Sequence, residues 1–384
     1  MRIFVATGIF HPESGGPATY LYRLLPVLQA RGHEVCVLTF GDDMLPATDY
    51  PYPVTRIPRR TLPVRWTQYA RAAWSEICRA DLVFINSLGL PLLGMGRKPR
   101  VLKIVGDLAW ERAVNKGWLP PSEDIDLFQT KHYDRRIALI QAQRAREVRG
   151  YVRSQDQIIV PSQYLREMVV GWGAPRERVQ VIYNALSPDA RTADLTPTAA
   201  RAELNLAPGP LLLTVARLVS WKGIDYLLRA IKPIPDVRVL VAGDGPDEAR
   251  LRTLVMSEGV ADRVTFLGRV PREQMPLYFR AADYTVLYSG YEGLSHTLLE
   301  SLLAGTPVIV SDKGGNPEMV RHDQNGLLVP YINVSALTET IRLAFSGDTR
   351  ARLAAQTQNG LDRFTWDMLV DQTLAVLERV CTSS

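Results

Sequence analysis

The sequence alternates, twice over, between short apolar runs and longer stretches whose apolar residues recur three and four positions apart. Short continuous apolar runs suit strands buried on both faces, and the wider spacing suits helices that lay one face on a sheet. Chains built this way form parallel sheets joined by crossover helices. In the first series the predicted strands are 2–6, 34–40, 81–85, 100–105, 157–160 and 179–183. Pro17, suited to a first helical turn, opens a helix through Leu21, Leu24, Leu25 and Leu28 that stops at Gly32, and further helices are expected over 134–152 and from Ser162. The second series places strands at 211–216, 237–242, 264–267, 284–288 and 307–310, with helices at 223–231, 249–257, 271–280 and 295–304. Between them, 187–209 is rich in Ala, Thr, Pro and Asp and reads as a linker with one short helix. A last helical run, 366–380, begins beside Phe364 and Trp366, which suggests docking onto folded structure. The fold class is therefore α/β: two Rossmann-like parallel-sheet domains facing a central cleft. Residues 1–185 form the first domain, 186–360 the second, and 361–384 pack back on the first. Ligands of such sheets lie beyond the carboxyl ends of the strands.

Composition narrows the class. With 384 residues, 46% hydrophobic and 22% charged, each half can bury a core without a metal or disulfide staple. Cys36, Cys78 and Cys381 are too far apart for a disulfide framework or a zinc spacing. Residues 1–190 hold 25 Lys/Arg against 18 Asp/Glu, and the rest holds 20 against 22, so the excess of positive charge belongs to the first half. That excess suits an anionic partner, such as a phosphorylated substrate or a lipid surface, and a solvated arginine-rich surface accounts for it equally. Arg135, Arg136, Arg144, Arg146 and Arg149 mark a candidate helix for contact with an anionic membrane. The opening residues lack the parts of a signal peptide, and the apolar stretch 82–96 is short and broken by Asn86, Ser87 and Pro91. A soluble, cytoplasmic protein is expected, at most peripheral to the inner face of a membrane.

Three segments could carry chemistry. Arg217 follows the strand at 211–216, with Lys222 five residues on and Gly223 opening a helix. Two cations at a strand's carboxyl end, beside a helix start, make an anion site. The second segment runs from Tyr291 to Glu300. Ser295 is placed to cap a helix whose first N–H groups, at His296, Thr297 and Leu298, would face a phosphate. Glu292 precedes that helix and Glu300 lies inside it, so one carboxylate can grip sugar hydroxyls while the other stands by the reacting group. His296 shares a face with Glu300 and is a candidate lining residue. The third segment is Gly15-Gly16, where the backbone can approach a ligand closely. Two motifs mislead. Gly243-Asp244-Gly245 lacks the third glycine of a dinucleotide fingerprint, because Glu248 stands there. Asp124-Ile125-Asp126 imitates a metal-binding pair but sits in a polar stretch rather than at a strand end.

Together these pieces resemble the retaining glycosyltransferases of family 4, the group 1 transferases with the GT-B fold. The resemblance rests on Ala216-Arg217 through Lys222-Gly223, on Gly243-Asp244-Gly245-Pro246, and on Val264-Thr265-Phe266-Leu267-Gly268. Its most specific part is Glu292-Gly293 through Leu299-Glu300, followed by Ala304-Gly305-Thr306-Pro307. It implies hexose transfer from a nucleoside-diphosphate sugar to a glycan or lipid-linked acceptor, in polysaccharide or glycolipid synthesis, without metal or cofactor. Arg217, Lys222, Gly16, Thr297 and Leu298 would hold the diphosphate. Glu300 would hold the ribose, the backbone of Gly268-Arg269-Val270 the base, and Glu292 would lie beside the transferred sugar. Gly106 stands where many relatives carry a histidine. The adjacent Asp107 is then the candidate for acceptor or sugar hydroxyls, and Trp110 for a stacking wall or a core position. Asn184 matches the family's hinge segment without its glycine. An epimerase or phosphorylase on the same fold, and a binding-only relative, remain as alternatives. Nucleic acid has no support in these motifs.

Overall fold

Strands and helices alternate along almost the whole chain. In order they are β1 (Arg2–Ala6), α1 (Gly16–Ala30), β2 (Glu34–Phe40), β3 (Val54–Ile57), α2 (Leu62–Arg79), β4 (Leu82–Ile85), β5 (Arg100–Lys103), α3 (Leu108–Asn115), α4 (Ile125–Thr130), α5 (Arg135–Tyr151), β6 (Gln157–Val160), α6 (Gln163–Gly171) and β7 (Val179–Val181). There follow α7 (Pro197–Glu203), β8 (Leu211–Val215), α8 (Ile224–Ala230), β9 (Arg238–Ala242), α9 (Glu248–Glu258), β10 (Val264–Gly268), α10 (Met275–Ala281), β11 (Tyr284–Leu287), α11 (His296–Leu303), β12 (Val308–Ser311), α12 (Asn316–Met319), β13 (Gly326–Val329), α13 (Val334–Ala344), α14 (Thr349–Ala354) and α15 (Trp366–Thr382). The computed structural model describes all residues except 14, 42–48, 93–97, 121–122, 152–155, 187–194 and 383–384. Part of the expected linker therefore lies outside the described residues.

The chain divides into two units. The first, Met1–Asn115 with Lys131–Tyr183 and Asp367–Ser384, holds a parallel sheet of order β3-β2-β1-β4-β5-β6-β7. Strands β4 and β6 are buried at every position, as crossover helices on both faces require. Helix α1 turns Leu21, Leu24, Leu25 and Leu28 into that core. Helix α15 belongs to this unit. Its Thr373 hydroxyl lies 3.4 Å from that of Tyr20, and Asp371 pairs with Arg31 at 2.7 Å. The second unit, Lys116–Thr130 with Asn184–Trp366, holds a parallel sheet of order β10-β9-β8-β11-β12-β13.

Two stretches differ from the sequence reading in the domain they join. Residues 116–130, expected in the first domain, group with the second unit. Leu119, Ile125 and Phe128 are buried, and Asp124 and Asp126 pair with Lys313 of that unit. Residues 361–366 also remain with the second unit, where the Arg363 guanidinium donates to the Glu318 carbonyl. Helix α2 was not legible from periodicity. Its buried residues Tyr69, Ala70, Ala73 and Ile77 are matched by apolar residues on the outer side, Leu62, Val64, Trp66 and Trp74, so no single stripe stands out.

Candidate active site

In the second sheet β8 continues to β9 on one side, while β11 pairs on its other side. The loops after β8 and β11 therefore diverge at a topological switch point, where a crevice opens beyond the strand ends. Arg217 and Lys222 lie on the first of these loops, and Glu292 and Ser295 on the second.

The two loops touch through backbone. Gly290 N–H donates to Trp221 C=O at 2.8 Å, and a Cβ on Gly223, whose φ is 64°, would enter the Tyr288 carbonyl. On the other flank Gly243 has φ 131° and lies against the Ala216 carbonyl, so a side chain there would push the β8 loop away. The glycines of the sequence motif are thus demanded by backbone-on-backbone packing around the crevice.

Within it, the Lys222 ammonium donates to Glu292 Oε1 at 2.5 Å, and both side chains are largely buried. Arg217 is exposed, and its guanidinium has no partner among the described residues. One cation is thus stored on a carboxylate and the other is uncommitted. Ser295 caps α11, its hydroxyl accepting from Leu298 N–H at 3.4 Å. This corrects one expectation. The Leu298 N–H already has an acceptor, which leaves Thr297 N–H as the first-turn donor without one among the described residues. The Thr297 hydroxyl donates to Val215 C=O at 3.5 Å, tying α11 to the end of β8. His296 sits in the same first turn, four residues before Glu300.

Glu300 lies one turn further in, with Arg272 at 3.8 Å. Burial raises its pKa above the ordinary carboxylate value, and the Arg272 charge only partly opposes that. At the other edge, Gly268 takes φ 64° and its carbonyl accepts from Gly243 N–H at 2.7 Å, while Val270 packs on the cluster that includes Leu213 and Ala242. Asn184 donates to Leu294 C=O at 3.0 Å, beside the cap.

Gly15 and Gly16 lie in the first unit. They open α1 at that sheet's own switch point, between β1 and β4. Gly15 has φ 154°, and a Cβ there would come within 2.9 Å of the Ile9 side chain.

Asp107 does not fit the role expected of it. It is fully buried at the start of α3, where Oδ1 accepts from Ala109 and Trp110 N–H at 3.0 and 3.2 Å. Its other oxygen pairs with Arg144, whose guanidinium stacks on Trp172. Helix capping and charge neutralisation engage this carboxylate, so it is not presented to a ligand. Trp110, 1% exposed, is a core residue rather than a stacking wall. Because Arg144 is buried there, the proposed basic face of α5 keeps Arg135, Arg136, Arg146 and Arg149 only. The misleading Asp124-Ile125-Asp126 also finds its explanation, since both carboxylates hold Lys313, at 2.7 and 3.2 Å. Lys313 went unnoticed in the sequence, although a charge beside Gly314-Gly315 just after a strand was the available signal. Among the described residues no group of three or more His, Cys, Asp or Glu is placed to hold a metal.

Comparison with known proteins agrees with this geometry. Residues 14–190 match the family model described as Glycosyltransferase Family 4, and residues 198–360 that of Glycosyl transferases group 1. Between them they span most of the chain, which belongs to this glycosyltransferase family. A D-inositol 3-phosphate glycosyltransferase of Jonesia denitrificans is 29% identical over 74% of this chain and 73% of its own length. An uncharacterized glycosyltransferase of Methanocaldococcus jannaschii is 30% identical over 57% of this chain, which spans 59% of that relative. Among solved structures, sucrose-phosphate synthase from Thermosynechococcus elongatus superposes with a TM-score of 0.81 at 23% identity, covering 100% of both chains. Anabaena HepE in complex with UDP-glucose gives 0.75 at 20% identity, covering 98% and 99%. The fold of two Rossmann-like parallel-sheet domains is therefore GT-B.

Proposed function

We propose that this protein transfers a hexose from a nucleoside-diphosphate sugar to a hydroxyl of a glycan or lipid-linked acceptor, with retention at the anomeric carbon. The observation that carries the reading is the Lys222–Glu292 pair at the switch point, with Arg217 on the same loop as Lys222 and the Thr297 N–H in the first turn of α11. As the bond from the sugar C1 to the diphosphate oxygen breaks, negative charge grows on the leaving group. In this reading Arg217, Lys222 and the Thr297 N–H take it up. The acceptor oxygen then bonds to C1 on the same face, and its proton passes to the departing diphosphate. Glu292, released from Lys222 as the phosphates claim that ammonium, is free to hold hydroxyls of the transferred sugar. Glu300 is assigned the ribose, and the backbone at Gly268 and Val270 the base. Two placed cations supply the charge stabilisation that a divalent ion gives elsewhere, so turnover is expected to persist in a chelator. HepE in complex with UDP-glucose supports a nucleotide sugar as the donor class.

Lys222→Ala and Arg217→Ala should each lower kcat/KM at least a hundredfold, the scale of removing one transition-state donor, in a protein that stays folded. Wild-type turnover in both would refute the site. Anomeric NMR of the product tests retention. Donor incubated alone distinguishes an epimerase, which would convert it without acceptor.

Peripheral contact with an anionic bilayer at the inner membrane face is part of this proposal. No helix among the described residues is long and apolar enough to cross a membrane. Helix α2 offers the better surface than α5. It exposes Leu62, Val64, Trp66 and Trp74 beside Arg60, Arg71 and Arg79, while Glu76, its sole acid, turns in to pair with Arg2. Co-sedimentation with anionic vesicles should fall in Trp66→Ser/Trp74→Ser, and equal binding to neutral vesicles would count against an electrostatic contact.

A further inference from the structure

The clasp between Lys313 and the pair Asp124 and Asp126 joins residues far apart in the chain, and it lies directly beside the loop that carries Glu292. Lys313 is the second residue after β12, and Gly314-Gly315 follow it. Gly315 N–H donates to the Glu292 carbonyl at 2.8 Å. A Cβ on Gly314 would enter that same carbonyl, and one on Gly315 would enter the carbonyl of Gly293. The backbone at 314–315 is thus the platform on which the backbone at 292–293 rests.

The platform is held from two sides. On one, Asn316 Nδ2 donates to the Ser311 carbonyl and hydroxyl at 3.2 and 3.1 Å, and the Ser311 hydroxyl donates to Ser289 C=O at 2.5 Å. On the other stands Lys313, whose ammonium donates to both aspartates. Asp124 is itself set in place, because its Oδ1 accepts from Asp126 N–H at 2.8 Å and the neighbouring Ile125 and Phe128 are fully buried. Partial burial works against the Lys313 charge, yet hydrogen bonds and charge from Asp124 and Asp126 outweigh it and its pKa is raised. An ammonium shared by two carboxylates, of which Asp124 is itself held, fixes the chain at 313, although a partly exposed ion pair contributes little to overall stability.

We propose that Lys313, clasped by Asp124 and Asp126, is a positioning residue for Glu292, setting through Gly314-Gly315 where the Glu292 carboxylate meets the transferred sugar. The inference rests on the assignment of Glu292 to that sugar. Small displacements of a positioning group are costly in this kind of site. Arg217 and Lys222 belong to the loop after β8, and the diphosphate takes the Lys222 ammonium from Glu292, so the phosphate contacts of the bound state do not depend on the Glu292 carboxylate. Breaking the clasp should therefore weaken recognition of the sugar and spare recognition of the nucleotide.

The test compares UDP with UDP-glucose, and GDP with GDP-mannose, by calorimetric titration of wild type, Glu292→Gln, Lys313→Met, Asp124→Asn/Asp126→Asn and Lys313→Arg. Expected in both clasp-breaking variants is a loss of roughly tenfold in affinity for the nucleotide sugar. Affinity for the free nucleoside diphosphate should stay within about twofold, and Lys313→Arg, which can still bridge two carboxylates, should restore binding. A sugar-dependent loss in Glu292→Gln but not in the clasp variants overturns the positioning role. No sugar-dependent loss in Glu292→Gln overturns the Glu292 assignment instead. Equal losses for diphosphate and sugar, with a lowered Tm, would mark the clasp as structural only. The aspartate pair decides the matter if Lys313→Met does not fold.

Discussion

Lys103→Met should make the protein more stable at neutral pH, even though it deletes a charge from a basic domain. Lys103 ends β5 and is 2% exposed, and its ammonium has no hydrogen-bond partner among the described residues. The face of the Tyr20 ring lies 4.1 Å away and gives it a favourable contact. Burial pushes the pKa down from 10.5 to about 7. At about 1.4 kcal/mol per unit, the charged form costs about 5 kcal/mol more in the folded chain than in the unfolded one. The pH dependence follows from proton counts. Between pH 7 and 10.5 the unfolded chain holds a proton that the folded chain lacks, so stability climbs as pH rises. Below pH 7 both states are protonated, and the penalty is complete and constant. Met keeps the packed stem and removes the charge. The variant should gain about 4–5 kcal/mol at pH 6 to 7, and the gain should shrink toward zero near pH 10. Urea unfolding across this range, with hydrogen exchange at β5 and β6 reporting the first unit, measures it. A variant that is no more stable at pH 7, or that keeps the wild-type pH slope, refutes the reasoning.

Other outcomes can be read from the same contacts. Asp107→Asn keeps the cap on α3 but leaves Arg144 buried without its counter-charge, so thermal unfolding should show a loss of about 3 kcal/mol while donor KM stays unchanged. A tenfold rise in donor KM would return Asp107 to the binding site. The ribose contact proposed for Glu300 is strongest with the carboxylate ionised, and burial raises its pKa. Nucleotide affinity should therefore fall as pH drops through a value above the ordinary carboxylate range, and Glu300→Gln should bind weakly with little pH dependence. A flat wild-type profile in titrations from pH 5 to 8 would contradict the assignment.

The alternation of apolar runs and amphipathic stretches was enough to place most strands and to predict two parallel sheets, because each element answers to its own few residues. The same holds for Ser295, whose capping of α11 depends on residues within one helical turn. Gly223 and Gly243 were legible as motif positions, but their reason was not. Each is small because a carbonyl from another loop, that of Tyr288 or Ala216, occupies the space of a Cβ. Helix α2 escaped notice because its outer side is as apolar as its inner side. The segment at 116–130 looked like part of the first domain because nothing local tells a chain which sheet it will lie against.

Side-chain commitments show the limit most clearly. Asp107 beside Gly106 looked like a ligand group in one dimension. In three it caps α3 and neutralises Arg144, 37 residues away. Lys222 and Glu292 were each legible as site residues, yet their pairing at 2.5 Å spans 70 residues. Asp124 and Lys313, 189 residues apart, read as a failed metal motif and an unremarked lysine. Periodicity, turns and caps follow from sterics and hydrogen bonds among near neighbours, so the chain carries them in its order. Which carboxylate meets which cation depends on how whole elements pack, and only the folded chain brings those partners within reach of one another.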